Sequence, residues 1–577
     1  MPNFFDDNED IKFHLETMDL TEIVHLQEKD FSEAEQFPYA PTDLDDALDS
    51  YRRVLSMVGD IAGNFVAPRA ADVDEEGTHF ENGTVTYAKG IAEAIERLSK
   101  ADLMGFTLPR KYGGLNLPTT LYSMAIEMIS RADASLMNIF GLQDIAETIH
   151  SFACEEIKDE YLPLFCSGEV TGAMVLTEPD AGSDLQAVRL SATEDAETGE
   201  WRLNGVKRFI TNGCGEILLV LARSEPGSTD GRGLSLFLCE SKDGVKVRRI
   251  EHKMGITGSP TCELQFNNVP AKLIGKRKRG LITYVMALMN GARIGIAGQA
   301  LGIAQAAYNE AVVYAREREQ FGKKIKDIPA VAEMLVGMKV HIEAARSLLY
   351  ETSRWVDLEN RLNERLESGG RDPELKKRLG GVRKLAAVLT PMSKYFACEM
   401  AVDVCYDSQQ VHGGSGYMKD YNIERHCRDV RITSIYEGTS QLQAVAILAG
   451  LQGGALTGRL EALASRRYEP SLSDLAEKAG QARDLMLKSL EHVKEAKDQG
   501  FTDLSAGRLS DMACDVYMSY LLLIDAEKSD RKKVVARKFV SDMLPRVQMK
   551  ASQILGGERI VLDSFEALVE SDAPAED

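Results

Sequence analysis

The sequence predicts a mainly α-helical protein with one small antiparallel β domain set between helical regions. Three observations predict it. Apolar residues recur at helical spacing from Asp43 to about Ser167, as in Ile91, Ala94, Ile95 and Leu98. Between Val170 and about Leu273 that spacing gives way to short runs of strand length separated by turn clusters. From Gly280 onward, long amphipathic stretches return. No long helix fits between the central strands, which excludes a βαβ arrangement.

Each region follows in order. Residues 1–42 are acidic and weakly periodic, and are expected as an extension laid over the surface. A helical domain spans 43–167, broken by the loop PRKYGGLNLP (109–118). The β domain spans 168–279, with strands at 172–176, 218–222 and 234–238 and turns at 179–183 and 226–231. A helical bundle over 280–452 contains long segments at 281–319, 329–358 and 376–411. An extension over 453–577 begins with a connector (453–474) and continues as helix from 475 to about 556.

Composition narrows the function. The 577 residues are 44% apolar and 27% charged, an ordinary globular balance that excludes a mainly disordered or fibrous chain. Lys and Arg total 68 against 89 Asp and Glu, a net charge of −21, so nucleic acid is not an expected partner. The nine cysteines form no CxxC pair, and the nine histidines no HExxH spacing. Reduced thiols and no metal site are therefore expected. The acidic start (MPNFFDDNED) has the form of neither a secretory signal nor a transit peptide, and a cytoplasmic location is expected.

Five segments carry residue types suited to chemistry. TEPDAGSD (177–184) follows an apolar strand directly. A strand end with Gly and Ser offers N–H groups and a hydroxyl to a phosphate or ring edge, and serves equally as a β-turn. In RFITNG (208–213), Phe209 and Thr211 stand two apart, on one sheet face, where a flat heterocycle could stack and hydrogen-bond. REREQFG (316–322) reads as a charged helix end with Gly322 as C-cap. QVHGGSG (410–416) ends a helix with glycines that admit close backbone approach, but it follows no strand and is not a dinucleotide fingerprint. In IYEGTSQLQ (435–443), Ser440 and Gln443 have capping-box spacing, which puts Glu437 in the loop before a helix N-terminus. There a carboxylate is either a favourable neighbour of the helix dipole or a base aimed into a cavity.

Taken together and in this order, these strings resemble the acyl-CoA dehydrogenase family. The resemblance covers residues 45 to 450, and its most specific strings are TEPDAGSD (177–184), REREQFGKKI (316–325), QVHGGSGY (410–417) and IYEGTSQLQ (435–443). It implies that family's fold: a helical domain, a β domain and a four-helix bundle, here with extra C-terminal helices. It also implies an FAD-dependent enzyme that removes hydrogens from the α and β carbons of an acyl-CoA thioester. The implied base is Glu437; some members place it on the helix that here carries 290–293, where Ala292 leaves the alternative position empty. The Glu437 N–H would help polarise the thioester carbonyl.

The resemblance implies further positions. Cofactor contacts fall on Met174, Leu176, Thr177, Gly182, Ser183, Phe209, Thr211, Thr439 and Gln441. Relatives commonly carry Trp where Phe209 stands. Contacts to a neighbouring subunit's FAD fall on Arg318, Gln320, Phe321, Gln410, Gly413 and Gly414, while Ile328 and Pro329 replace polar contacts of many relatives. Substrate contacts fall on Ser183, Asn290, Arg293 and Gly438, with Asn290 where relatives often carry Asp. The acyl-pocket floor falls on the helix containing Met137, Asn138, Phe140 and Gly141; Gly141 matches a position where a medium-chain relative places Glu.

The implied partners are an acyl-CoA, an electron-transfer flavoprotein and a second copy of the chain, as a dimer or dimer of dimers. Larger bacterial members carry an extension of similar length, including enzymes acting on a methylthio-propanoyl thioester. Within the extension, the basic stretch 531–550 carries the apolar stripe Val535, Phe539, Met543 and Val547. A bundle helix with a charged outer face is favoured over a membrane-surface helix. Two alternatives stand beside the dehydrogenase reading: an acyl-CoA oxidase using oxygen, and a catalytically idle relative that binds nucleic acid.

Overall fold

The computed structural model describes residues 2–369 and 372–569; residues 570–577 of the expected extension lie outside the described residues. The N-terminal segment departs from expectation. It folds into two helices, Glu9–Thr17 (α1) and Thr21–Gln27 (α2). Phe5, Ile11 and Val24 are buried in the main core rather than laid over it. A Cβ at Gly63 would fall 2.2 Å from the Pro2 carbonyl oxygen, so that glycine lets the segment dock closely. Its acidic composition misleads because Asp10 is matched inside the fold by Arg346, at 2.6 Å.

The helical domain includes Thr119–Ala132 (α3) and Ala134–Gly141 (α4). The β domain holds Gly172–Val175 (β1), Ser191–Glu194 (β2), Trp201–Thr211 (β3), Ile217–Arg223 (β4), Leu234–Glu240 (β5), Lys246–Ile250 (β6) and Thr261–Ile274 (β7). Its sheet runs β1-β4-β2-β3-β7-β5, with β6 on β7 and β5 also on β4. Most pairs are antiparallel, as expected, but β1 runs parallel to β4, from Gly172↔Ile217 to Val175↔Val220. The chain passes through β2 and β3 before it returns beside β1, and that excursion brings it back in the same direction. Strand β4 is buried on both faces. Ile217, Leu219 and Leu221 pack toward the helical domain, and Leu218, Val220 and Ala222 pack inside the β domain.

The bundle contains Met286–Glu317 (α5), Pro329–Gly369 (α6), Pro373–His412 (α7) and Ser440–Gln452 (α8). Helix α5 is buried without a break from Ile294 to Ala307 because neighbours cover it all round. A Cβ at Gly302 would fall 2.4 Å from the Glu127 carbonyl, so α3 crosses α5 nearly backbone to backbone. The helix ends at Glu317, and Gly322 is not its C-cap. Instead Glu319–Gln320 pairs with Lys323–Lys324, and Phe321 (φ 54°) and Gly322 (φ 74°) form the turn between them.

Three long helices build the extension: Ser473–Ala496 (α9), Gln499–Ala526 (α10) and Asp530–Leu555 (α11). The stripe Val535, Phe539, Met543 and Val547 packs inward with Val388 and Met392 of the bundle, as a bundle helix does. Lys532 departs from the expected charged outer face. It is wholly buried, 2.9 Å from Glu343 and in contact with Asp10. Arg346 completes the cluster by bonding Glu127 at 2.6 Å. N-terminal segment, bundle and extension thus meet in one buried ionic cluster.

Candidate active site

The site grows from the N-terminus of α8. The helix cap falls one residue earlier than the capping-box spacing suggested. Thr439 is extended (ψ 161°), and its hydroxyl accepts from the Leu442 N–H at 3.4 Å. Ser440 is already helical and donates to the Glu399 carboxylate. Gln443 reaches back, its amide donating to the carbonyls of Glu437 (3.2 Å) and Gly438 (3.0 Å).

Glu437 and Gly438 are both left-handed, with φ of 53° and 87°. For Glu437 that conformation costs about 1–2 kcal/mol. At 438 the left-handed φ favours glycine, and a Cβ there would fall 2.8 Å from the Gln443 amide nitrogen and push it off its bonds. Lys394 of α7, wholly buried, donates from Nζ to the Gly438 carbonyl at 2.7 Å. Tyr436 braces the other side. Its hydroxyl donates to Gln299 and lies 3.2 Å from the Asn138 amide oxygen. Asn138 in turn accepts from Gln299 at 3.0 Å and donates to Ser259 at 3.1 Å. The Asn138 amide is thereby committed to protein partners.

The result is a carboxylate held on a rigid, unusual loop. Removal from water pushes the Glu437 carboxyl up from 4.5 to about 7, while the charges of Lys394 and Arg293 pull it back down. Part of the side chain keeps contact with open space. Water there moderates the shift, and a ligand that displaces it strengthens the shift. Gly438 and Arg293 line a cavity of about 730 Å³ together with Ser183, Leu281, Met289 and Leu442. The Arg293 guanidinium donates to Asn290 at 3.1 Å and keeps its Nε buried without a partner. Three of the four expected substrate positions therefore share this cavity, and Asn290 touches one of them. The backbone N–H of Glu437 has no protein acceptor among the described residues.

The β-domain positions gather at the strand ends. Lys207, wholly buried, donates to the Leu176 carbonyl at 2.6 Å and pairs with Glu178 at 3.0 Å. Glu178 accepts the N–H groups of Arg189 (2.8 Å) and Leu190 (2.9 Å), which fixes the 177–184 turn. Arg208 donates its N–H to the Thr177 carbonyl at 3.0 Å, joining the two expected cofactor segments. The Leu176 side chain is buried in the core, so only its backbone faces that turn. The regular alternation expected for Phe209 and Thr211 is broken by a bulge between Lys207 and Ile210, where Phe209 has φ 60°. The bulge swings Phe209 outward to 52% exposure. An exposed aromatic ring, with the Arg208 guanidinium 4.6 Å from its centroid, together with Thr177, Thr211 and the turn that holds Gly182, is a set of residue types that fits a flat heterocycle and its polar edge.

A second group lies elsewhere. Arg318, Gln320 and Phe321 sit just beyond α5, 25 residues past Arg293, or about 37 Å along the helix. Gln410 lies in the last turn of α7 with Gly413 and Gly414 just beyond it, and Tyr314 joins the two ends by packing its tilted ring on His412 (4.5 Å between centroids) and donating to Ser415 (3.3 Å). Phe321 is 92% exposed, and Cβ atoms at Gly413 or Gly414 would meet nothing. These six positions form an open face at the end of the bundle remote from Glu437. Among the described residues no group of His, Cys, Asp and Glu could hold a metal ion.

Sequence reasoning missed Lys207 and Lys394, and placed Gln443 only as a cap. The available signal was a charge on an apolar stripe. Lys394 stands one turn from Ala397 and Cys398 on the buried side of α7.

Family models for the acyl-CoA dehydrogenase N-terminal, middle and C-terminal domains match residues 49–169, 173–269 and 279–452. A further model, acyl-CoA dehydrogenase C terminal, matches 452–548. An acyl-CoA dehydrogenase of Bacillus subtilis is 39% identical over 407 residues, 69% of this chain and 97% of that protein. The 3-methylmercaptopropionyl-CoA dehydrogenase of Ruegeria pomeroyi is 31% identical over 510 residues, 82% of this chain and 83% of that protein. The fold matches that of an acyl-CoA dehydrogenase from Bacillus anthracis complexed with FAD, with a TM-score of 0.75 at 24% identity and 90% coverage of each chain. The chain belongs to the acyl-CoA dehydrogenase family of FAD-dependent oxidoreductases.

Proposed function

We propose that this enzyme converts an acyl-CoA thioester to its trans-2-enoyl-CoA, with Glu437 taking the α-proton. The observation that carries the reading is Glu437 itself: a carboxylate fixed beside the cavity and pushed up to about 7. The α-proton of a thioester is weakly acidic, so a useful base needs a pKa near the working pH. The Glu437 N–H, which has no protein acceptor among the described residues, would polarise the thioester carbonyl. Arg293, Ser183 and Gly438 line the cavity that would seat the thioester end, with Asn290 orienting Arg293.

Met174, Thr177, Gly182, Ser183, Phe209, Thr211, Thr439, Gln441 and the Leu176 backbone are assigned to the cofactor beside Glu437. Bound FAD supplies the acceptor for the hydrogen that leaves the β carbon. The remote face of Arg318, Gln320, Phe321, Gln410, Gly413 and Gly414 serves the FAD of a second copy. The distance along α5 supports this, since one ligand at Glu437 does not span about 37 Å of helix. The functional unit is therefore a homodimer or a dimer of dimers. Electrons pass to an electron-transfer flavoprotein, and the enzyme works in the cytoplasm.

Turnover of a panel of CoA thioesters, with and without an artificial electron acceptor, tests this reading. The panel includes the methylmercaptopropionyl thioester for which the Ruegeria relative is named. Enoyl-CoA formation that requires the acceptor is expected. Stoichiometric peroxide in air without acceptor would replace the dehydrogenase reading by an oxidase.

A further inference from the structure

The buried Lys394 has no part in the assignments above, yet it touches the loop that carries the base. It enters from α7 with no exposed surface and gives its Nζ hydrogen bond to the Gly438 carbonyl, one residue after Glu437. That carbonyl opens the peptide from Gly438 to the extended Thr439, directly after two left-handed residues, Glu437 and Gly438, a conformation that persists only where the surroundings hold it. The Gln443 amide grips the same carbonyl at 3.0 Å, so Gly438 accepts twice.

We infer that Lys394 is a positioning residue for the proposed proton transfer, holding the Gly438–Thr439 peptide, and with it the loop that carries Glu437, in register and setting how readily Glu437 takes a proton. The inference rests on the reading of Glu437 as the base. A buried ammonium beside a carboxylate favours its charged form. The groups around the pair are Arg293 from α5, Cys398 and Glu399 from α7, and Tyr436 in the loop. Burial holds Cys398 and Tyr436 neutral at working pH. Lys394 and Arg293 are therefore the two cations that act on Glu437. Arg293 faces the cavity, whereas Lys394 stands behind the loop, where substrate cannot displace it.

The experiment compares three variants of the FAD-loaded enzyme across pH. Lys394→Met removes charge and donor, and should move the acid limb of the kcat profile upward by about 1–2 pH units with FAD still bound. Lys394→Gln keeps a donor to Gly438 without the charge; the same displacement is expected, with a smaller fall in plateau rate. Lys394→Arg keeps the charge, and its acid limb should stay near the wild type. A fall in plateau rate with the limb unmoved in the Met and Gln variants would show a packing role and overturn the inference. If the Met variant does not fold, the Gln and Arg pair decides alone. Glu437→Gln, assayed in parallel, isolates the underlying reading. Wild-type turnover in that variant would place the base elsewhere, a failure distinct from an immobile limb in the lysine variants.

Discussion

Replacing Glu437 by Gln separates what this carboxylate does for turnover from what its burial costs the fold. Loss of a general base typically lowers the rate by about 10²–10⁴, or roughly 3–5 kcal/mol of barrier. Ala292 leaves no second carboxylate on the neighbouring helix to take over. The stability effect runs the other way. A rise from 4.5 to about 7 corresponds to about 3 kcal/mol against the charged form. The side chain is only half-buried, so solvent screening reduces this to about 1–2 kcal/mol. The folded-state pKa lies above the unfolded one. Below pH 4.5 both states are protonated and Glu437 costs nothing. Between pH 4.5 and 7 the cost develops, and above 7 it is complete. Glu437→Gln should therefore be more stable than the wild type by about 1–2 kcal/mol at pH 8 and equal to it near pH 4. Urea unfolding at both pH values, alongside turnover at pH 8, measures the two effects. Equal stability at pH 8 would refute the argument that burial raises this pKa.

The remaining predictions concern assembly and cofactor. Lys532→Met should destabilise the protein by about 2–4 kcal/mol, because it leaves Asp10 and Glu343 short of a buried partner while Arg346 and Arg531 still compensate in part; urea titration measures the loss, and an unchanged midpoint would refute it. Truncation after residue 452 should give aggregated or reassembled protein that still retains some FAD, since it uncovers Val388 and Met392; sedimentation and the flavin spectrum check both parts. If the truncated form instead stays soluble with unchanged assembly, and loses vesicle binding that the full chain shows, the membrane-surface reading of 531–550 replaces the bundle one. Phe209→Ala should weaken FAD binding about 2–12-fold by removing an exposed stacking face, measured by titrating apoprotein with FAD.

Much of this protein was legible as local pattern. Helical and strand periodicity report which face of an element is buried, and that choice is made residue by residue along the chain. The long bundle helices and the inward stripe of α11 could therefore be read directly. The motif strings likewise singled out the loop of Glu437 and the segments 177–184 and 208–213 for attention, because such strings are contiguous. Tertiary structure alone decided what depends on residues far apart in sequence. Asp10, in an acidic stretch, looks solvent-bound until Arg346 and Lys532 arrive from 336 and 522 positions beyond it. The parallel pairing of β1 with β4 depends on the route of the intervening strands. The outward turn of Phe209 depends on a bulge against β7. The grip of Lys394 on Gly438 spans 44 residues. A buried charge is stable only with its partner, and the partner is chosen by how helices pack rather than by neighbours in the chain.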